Sequence, residues 1–125
     1  MRRLVAGGCV ALSFILVVCS TDYRAAQDKG AKYSIEDVMD QAHGKTGILK
    51  KVMSGGAEKA DKEKLVELYV ALGQNKPPKG SADSWKERTE ALVVASRSVA
   101  KGEDAGIGAL KKAVNCAGCH KLHKG

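Results

Sequence analysis

Three residues near the C-terminal end of the sequence have the types and spacing for cofactor chemistry. Cys116, Cys119 and His120 stand in the run Cys116-Ala117-Gly118-Cys119-His120, which is a C-x-x-C-H motif. In this motif each thiol adds to one vinyl group of a porphyrin, and the histidine that follows binds the iron as proximal ligand. The motif therefore predicts one covalently attached haem c, held by the two cysteines and by His120.

Two other kinds of site also use cysteines at this spacing. A thioredoxin-like redox pair is expected beside a strand–helix junction, and not five residues from the end of a chain. Half of a zinc site needs a second Cys/His pair, and His43 and His123 are the only other histidines. We expect His123 to be an exposed residue of the chain terminus. No acid/base pair lies near the motif, so the sequence does not predict an enzyme.

The first 20 residues have the pattern of a secretory signal peptide. Arg2 and Arg3 precede a run of 15 apolar or small residues over 4–18, and small polar residues follow. The run is too short to span a bilayer comfortably, so we expect cleavage after Ser20 and export, in a bacterium to the periplasm. Export agrees with haem attachment, which bacteria carry out outside the cytoplasm.

Two alternatives would keep this N-terminal segment at a membrane. Either it remains as an uncleaved anchor, or Cys19 is lipidated, although Val18 stands where that pattern has a smaller residue. Otherwise Cys9 and Cys19 leave with the signal peptide. Removing residues 1–20 lowers Lys plus Arg from 21 to 19 against 14 acidic residues, so the net charge falls from +7 to +5. So modest a charge on an exported domain argues against a nucleic-acid partner.

The remaining chain predicts a linker followed by one helical domain. Residues 21–33 are polar and without period, which is typical of a flexible linker. Over residues 34–125, apolar residues recur at helical spacing in four segments. Helices are expected over 34–55, 61–73 and 84–102 and from 103 into the haem motif, with Pro77 and Pro78 in the loop before the third helix. These segments predict an all-α, up-down-up-down four-helix bundle.

Caps and buried faces specify this fold further. Ser34 with Asp37 predicts a capping box for the first helix, and Ser84 with Glu87 predicts one for the third. The residues expected to face inward are Ile35, Val38, Met39, Ala42, Thr46, Leu49 and Met53 on the first helix, Leu65, Leu68, Tyr69 and Leu72 on the second, Trp85, Thr89, Leu92, Ser96 and Val99 on the third, and Ile107, Leu110, Ala113, Val114 and Ala117 on the fourth.

Four helices, a tryptophan at the start of the third, and C-x-x-C-H close to the C-terminus make the chain similar to the class II c-type cytochromes, the cytochrome c-prime family. The resemblance covers residues 34–123, and it implies a haem c within a four-helix bundle. In this family a residue about one turn into the first helix faces the distal side of the iron. It is Met in low-spin members and Leu or Phe in high-spin ones. When Gly55 is matched to the glycine that ends the family's first helix, this position falls on Met39.

The predicted bundle topology leads to the same part of the first helix. The start of the first helix should lie beside the end of the fourth, where the haem is attached. Met53 follows Met39 by 14 residues, which is about 21 Å along a helix, and is therefore too far away. Met39 and His43 remain, one turn apart on one face. We expect Met39 to be the distal iron ligand, with His43 as the alternative.

The distal ligand determines which function the sequence predicts. Ligation by Met and His leaves the iron no free site, which favours one-electron transfer. An open distal site would favour a five-coordinate haem that binds a diatomic gas such as NO or CO. Four lysines surround the haem-bearing segment, and they either steer an acidic redox partner or keep the domain soluble: Lys111, Lys112, Lys121 and Lys124. Both a monomer and a homodimer are compatible with the sequence.

Overall fold

The structure, a computed structural model, describes residues 30–125. The predicted signal peptide, with Cys9 and Cys19, and residues 21–29 of the predicted linker lie outside the described residues. From residue 30 to residue 125 the chain forms six helices and no strand, so the predicted all-α class is confirmed there. The helices are α1 (Ile35–His43), α2 (Ile48–Met53), α3 (Lys59–Gln74), α4 (Ala82–Ala100), α5 (Gly106–Ala113) and α6 (Cys116–His123). Among them, none is both long and apolar enough to cross a membrane.

The two longest helices, α3 and α4, pack against each other and supply most of the core. α1 and α2 pack against α3, and α5 packs against α4. Every residue predicted to face inward on these two helices is buried: Leu65, Leu68, Tyr69 and Leu72 on α3, and Trp85, Thr89, Leu92, Ser96 and Val99 on α4. Since full burial of one leucine side chain contributes about 2 kcal/mol, this pair of helices is a main source of stability.

The sequence predicts that α1 starts at Ser34 and α4 at Ser84, and the observed helix caps test both predictions. Ser34 Oγ accepts a hydrogen bond from the Asp37 N–H at 3.1 Å, and the Asp37 carboxylate accepts one from the Ser34 N–H at 3.0 Å, so the first capping box is confirmed. The second prediction is wrong. Ser81, and not Ser84, caps α4, because the Ser81 hydroxyl accepts the Ser84 N–H at 3.2 Å. The helix therefore begins one turn earlier than the pattern indicates.

The first predicted helix is broken into α1 and α2 by a tight turn at Gly44 and Gly47. A Cβ on Gly44 would lie 2.3 Å from the carbonyl oxygen of Asp40, and one on Gly47 would lie 2.4 Å from that of Ala42. Only glycine permits backbones to approach so closely. The sequence predicts a continuous helix here because the apolar period runs on across the two glycines.

The fourth predicted helix is broken as well, at Val114 and Asn115, so the C-x-x-C-H motif forms a helix of its own. Asn115 caps α6, and its side-chain oxygen accepts the Gly118 N–H at 2.9 Å. A Cβ on Gly118 would lie 2.7 Å from the Asn115 side-chain nitrogen, so a larger residue there would force the asparagine side chain to shift. The break gives the motif its own orientation relative to α5.

Both breaks change which residues face inward. Ala117, predicted to be buried on a continuous fourth helix, is exposed on α6. Thr46, predicted to lie on the buried stripe of the first helix, is exposed in the turn, and Val52 on α2 is buried. A break of a few residues rotates the following helix, so a single helical period no longer applies.

Candidate functional site

A cavity of about 180 Å³ lies where α1, α4 and the junction of α5 with α6 meet. It brings together all five residues that the sequence assigns to a haem. The residues that line it are Met39, His43, Leu72, Arg88, Leu92, Ala113, Val114, Asn115, Cys116, Cys119 and His120. Mostly apolar walls with a few polar groups are typical of a cofactor site. This cavity is therefore the candidate functional site.

The residues of the C-x-x-C-H motif are accessible on α6. Cys116 and Cys119 are free thiols, the first exposed and the second half-buried, and His120 is exposed. Burial raises the pKa of the Cys119 thiol, while the positive charge of Arg88 acts in the opposite direction and more weakly. No disulfide joins the pair. Both thiols are thus available for the covalent attachment of a porphyrin.

Met39 and His43 also line the cavity, one turn apart on α1. Met39 is half-buried and packs against the core. The Nε2 atom of His43 is buried and has no hydrogen-bond partner within residues 30–125. Burial lowers the pKa of His43, and the nearby His120 lowers it further. The imidazole is therefore neutral at neutral pH, with a ring nitrogen available to a ligand.

Tyr69 on α3 holds a second buried polar atom without a partner. Its side chain is fully buried, and its hydroxyl has no hydrogen-bond partner in the described part of the chain. The Tyr69 ring centroid lies 5.7 Å from that of His43, with the two planes tilted by 53°. Burial raises the pKa of Tyr69, and Cys116 contributes to a smaller extent, so the hydroxyl stays protonated. Buried polar atoms without partners are rare and are often explained by a missing water or ligand.

The donor set and the walls together fit a haem. Two thiols and an imidazole stand at the spacing that covalent attachment requires, a thioether and a second imidazole line the same cavity, and most of the other lining residues are apolar. Met53 does not line this cavity and packs against the core from α2. The four lysines expected around the site are all exposed: Lys111, Lys112, Lys121 and Lys124.

His123 contradicts the expectation that it is exposed, because only 2% of its surface is accessible. Its Nδ1 lies 2.9 Å from the carbonyl oxygen of Lys79, which can only accept, so this nitrogen carries the proton. Its Nε2 lies 3.0 Å from the Ser84 hydroxyl, which therefore donates. The ring packs edge-on against Trp85 at 5.3 Å between centroids. His123 thus fastens α6, the helix of the C-x-x-C-H motif, to the start of α4.

The loop before α4 is shaped to receive this histidine. Gly80 has a φ of +86°, and a Cβ there would lie 2.6 Å from the carbonyl oxygen of Leu122 and 2.7 Å from His123 Nδ1. A glycine is therefore required for both the backbone conformation and the close approach. The spacing of His123, three residues after His120 and four after Cys119, was the sequence signal that it shares a helix face with the motif.

We expect His123→Ala to lower the free energy of unfolding by about 2 kcal/mol, because it leaves the Lys79 carbonyl and the Ser84 hydroxyl without partners. Chemical denaturation measures this change. Lys121→Ala, at an exposed position on the same helix, is the matched control and should alter stability little. If the two variants unfold at the same denaturant concentration, His123 does not fasten α6.

Arg88 is the cavity residue that the sequence analysis did not select. It lies three residues after Trp85 and four before Leu92, so it shares the face of α4 that points inward. An arginine between two inward-facing apolar residues was the available signal. Among the residues that line the cavity, Arg88 is the only arginine or lysine.

Comparison of the chain with models of protein families, with curated proteins and with solved structures found no match in any of the three. Across residues 30–125, no group of three or more His, Cys, Asp and Glu side chains is arranged to hold a metal ion by itself.

Proposed function

We propose that the protein is an exported c-type cytochrome that carries one covalently attached haem and transfers single electrons. One observation carries the proposal, namely that Cys116, Cys119 and His120 line the same cavity as Met39 and His43. The resemblance to the class II c-type cytochromes supports it. The finer arrangement proposed is a four-helix bundle, in which α1 with α2 forms the first helix and α5 with α6 forms the fourth.

Each residue of the cavity has a distinct role in this proposal. The thiols of Cys116 and Cys119 would hold the porphyrin by thioether bonds, and His120 would bind the iron as the proximal ligand. Met39 would be the distal ligand. A bound haem would supply the one-electron couple, and the apolar walls would exclude water from it. A thioether ligand raises the reduction potential, which suits an electron acceptor.

A second candidate function is the binding of a diatomic gas by a five-coordinate haem. The specific observation in its favour is the space beside His43, whose buried Nε2 has no partner within the described residues and is free to hydrogen-bond a small ligand. Methionine ligation and gas binding exclude each other at one iron. The visible absorption spectrum of the purified protein distinguishes them, because the electron carrier is expected to be low-spin and the gas-binding protein high-spin.

The lysines around the site suggest the kind of redox partner. Lys111 and Lys112 on α5 and Lys121 and Lys124 near the C-terminus are exposed. Such a group of positive charges attracts an acidic surface and accelerates association at low ionic strength. We propose an acidic redox protein as the partner. A rate of electron transfer that does not change with salt concentration would contradict this role of the lysines.

Tryptophan fluorescence provides an independent test of where the haem lies. Trp85 is buried on α4, and Arg88, one turn further along the same helix, lines the cavity. A haem in the cavity should quench the Trp85 emission by energy transfer, so denaturation is expected to raise the fluorescence many-fold. Bright emission from the native, haem-loaded protein would mean that the haem lies elsewhere.

A further inference from the structure

We propose that Arg88 binds a carboxylate of the haem, one of its two propionate groups. The inference rests on the proposed function, since it requires a haem in the cavity. It assigns to α4 a residue that positions the cofactor, whereas the predicted ligands all come from α1 and α6.

The position of Arg88 supports this role. It lies on α4, is half-buried, and lines the cavity together with Leu92, one turn further along the helix. The rest of the α4 face at this level is apolar or neutral, because Trp85, Thr89 and Leu92 are buried core residues. The Arg88 side chain is therefore part of the lining of a mostly apolar cavity, which the residues of the C-x-x-C-H motif also line.

No partner for the guanidinium exists among the described residues. In every ion pair within residues 30–125 the cation is a lysine. One of these pairs joins Lys86 to Glu90 on the same helix as Arg88. Arg88 also makes no side-chain hydrogen bond within this part of the chain. A partly buried charge without a partner is costly, so a cation in this position indicates a complementary anion.

The chemistry of the group bound in the cavity identifies that anion. The periphery of a haem c is apolar except for two carboxylates. A guanidinium pairs with a carboxylate through two parallel hydrogen bonds, which an ammonium group cannot form. With the thioether edge of the porphyrin held by α6, a pairing of Arg88 with one propionate would fix the rotation of the ring within the cavity.

The pairing has two consequences for the redox couple. A positive charge near the iron disfavours the ferric state, so Arg88 should raise the reduction potential. It should also keep the propionate ionised at lower pH, because a nearby cation favours the charged form of a carboxyl group. The potential should then be nearly constant around neutral pH. Without Arg88 the propionate would titrate at higher pH, and the potential would fall as the pH rises through that range.

The test compares Arg88→Gln with Arg97→Gln in the haem-loaded protein by redox titration at several pH values. Arg97 is exposed on the same helix nine residues further, about 13 Å along the axis and on the opposite side. We expect Arg88→Gln to shift the redox equilibrium about tenfold toward the ferric form, which lowers the reduction potential by about 59 mV for one electron. We also expect a pH-dependent potential near neutrality. Arg97→Gln should leave both unchanged, and Arg88→Lys should retain part of the charge effect.

A wild-type potential and pH profile in Arg88→Gln would overturn the inference, as would an equal shift in Arg97→Gln, while haem attachment would still support the proposed function. If Arg88→Gln yields no haem-loaded protein, Arg88→Lys is the variant to measure. A wild-type dependence of its reduction potential on pH would overturn the pairing, and an altered dependence would support it. Absence of haem from the wild-type protein would instead refute the proposed function itself.

Discussion

A Cys116→Ser, Cys119→Ser double variant is expected to carry no haem after denaturation, whereas the wild-type chain should keep one. The reason is chemical, because a serine hydroxyl does not form the thioether bond that each cysteine forms with a vinyl group. The measurement is the visible absorption of the unfolded chain after separation in denaturant, where a haem that is not covalently bound leaves the polypeptide. The expected change is complete loss of the absorption.

The matched control for this variant is Cys9→Ser, which removes a cysteine from the predicted signal peptide. It should leave haem attachment unchanged, because residues 1–20 are expected to be absent from the mature protein. Haem that remains on the double variant after denaturation would show that other residues attach it. Loss of haem from Cys9→Ser would show that the N-terminal segment takes part.

Met39→Ala is expected to convert a low-spin haem protein into a high-spin one. Removing the thioether opens the distal position, so the potential should fall and the reduced protein should bind carbon monoxide readily. In the wild type, the oxidised protein should show the weak near-infrared band of sulfur bound to iron, and the reduced protein should bind carbon monoxide poorly. Optical spectra of both oxidation states, with and without carbon monoxide, measure this.

Two further variants make the Met39 experiment decisive. Met53→Ala removes a half-buried methionine from α2, outside the cavity, and should leave the spectrum unchanged. His43→Ala should also leave it nearly unchanged. If His43→Ala alone abolishes the low-spin state, the iron is held by two histidines, and the unpartnered Nε2 of His43 is the distal ligand. A high-spin wild-type spectrum would favour gas binding as the function.

Helical periodicity located the core of α3 and α4 because those helices run without interruption. Leu68, Trp85 and Val99, for example, are buried as their spacing predicts. Periodicity failed where the backbone turns. The break at Gly44 and Gly47 depends on close approaches between backbone segments, and the break at Asn115 on a side-chain cap. The spacing of apolar residues records neither.

The parts of the site that the sequence did not predict depend on contacts between distant segments. His123 is buried because the loop at Gly80 and the hydroxyl of Ser84 receive it, about forty residues away in sequence. Arg88 shares a helix face with core residues, but its place in the cavity depends on how α4 meets α6. By contrast, the haem motif is local in sequence, and for that reason Cys116, Cys119 and His120 could be selected before the structure.

Mass spectrometry of the mature wild-type protein under denaturing conditions shows directly whether the chain carries a covalent haem. We expect a chain that begins near Thr21 and that retains the mass of one haem after unfolding, with both thioether bonds mapped to the peptide containing Cys116 and Cys119. A colourless chain that carries zinc, or one whose only modification is a disulfide between Cys116 and Cys119, would contradict it.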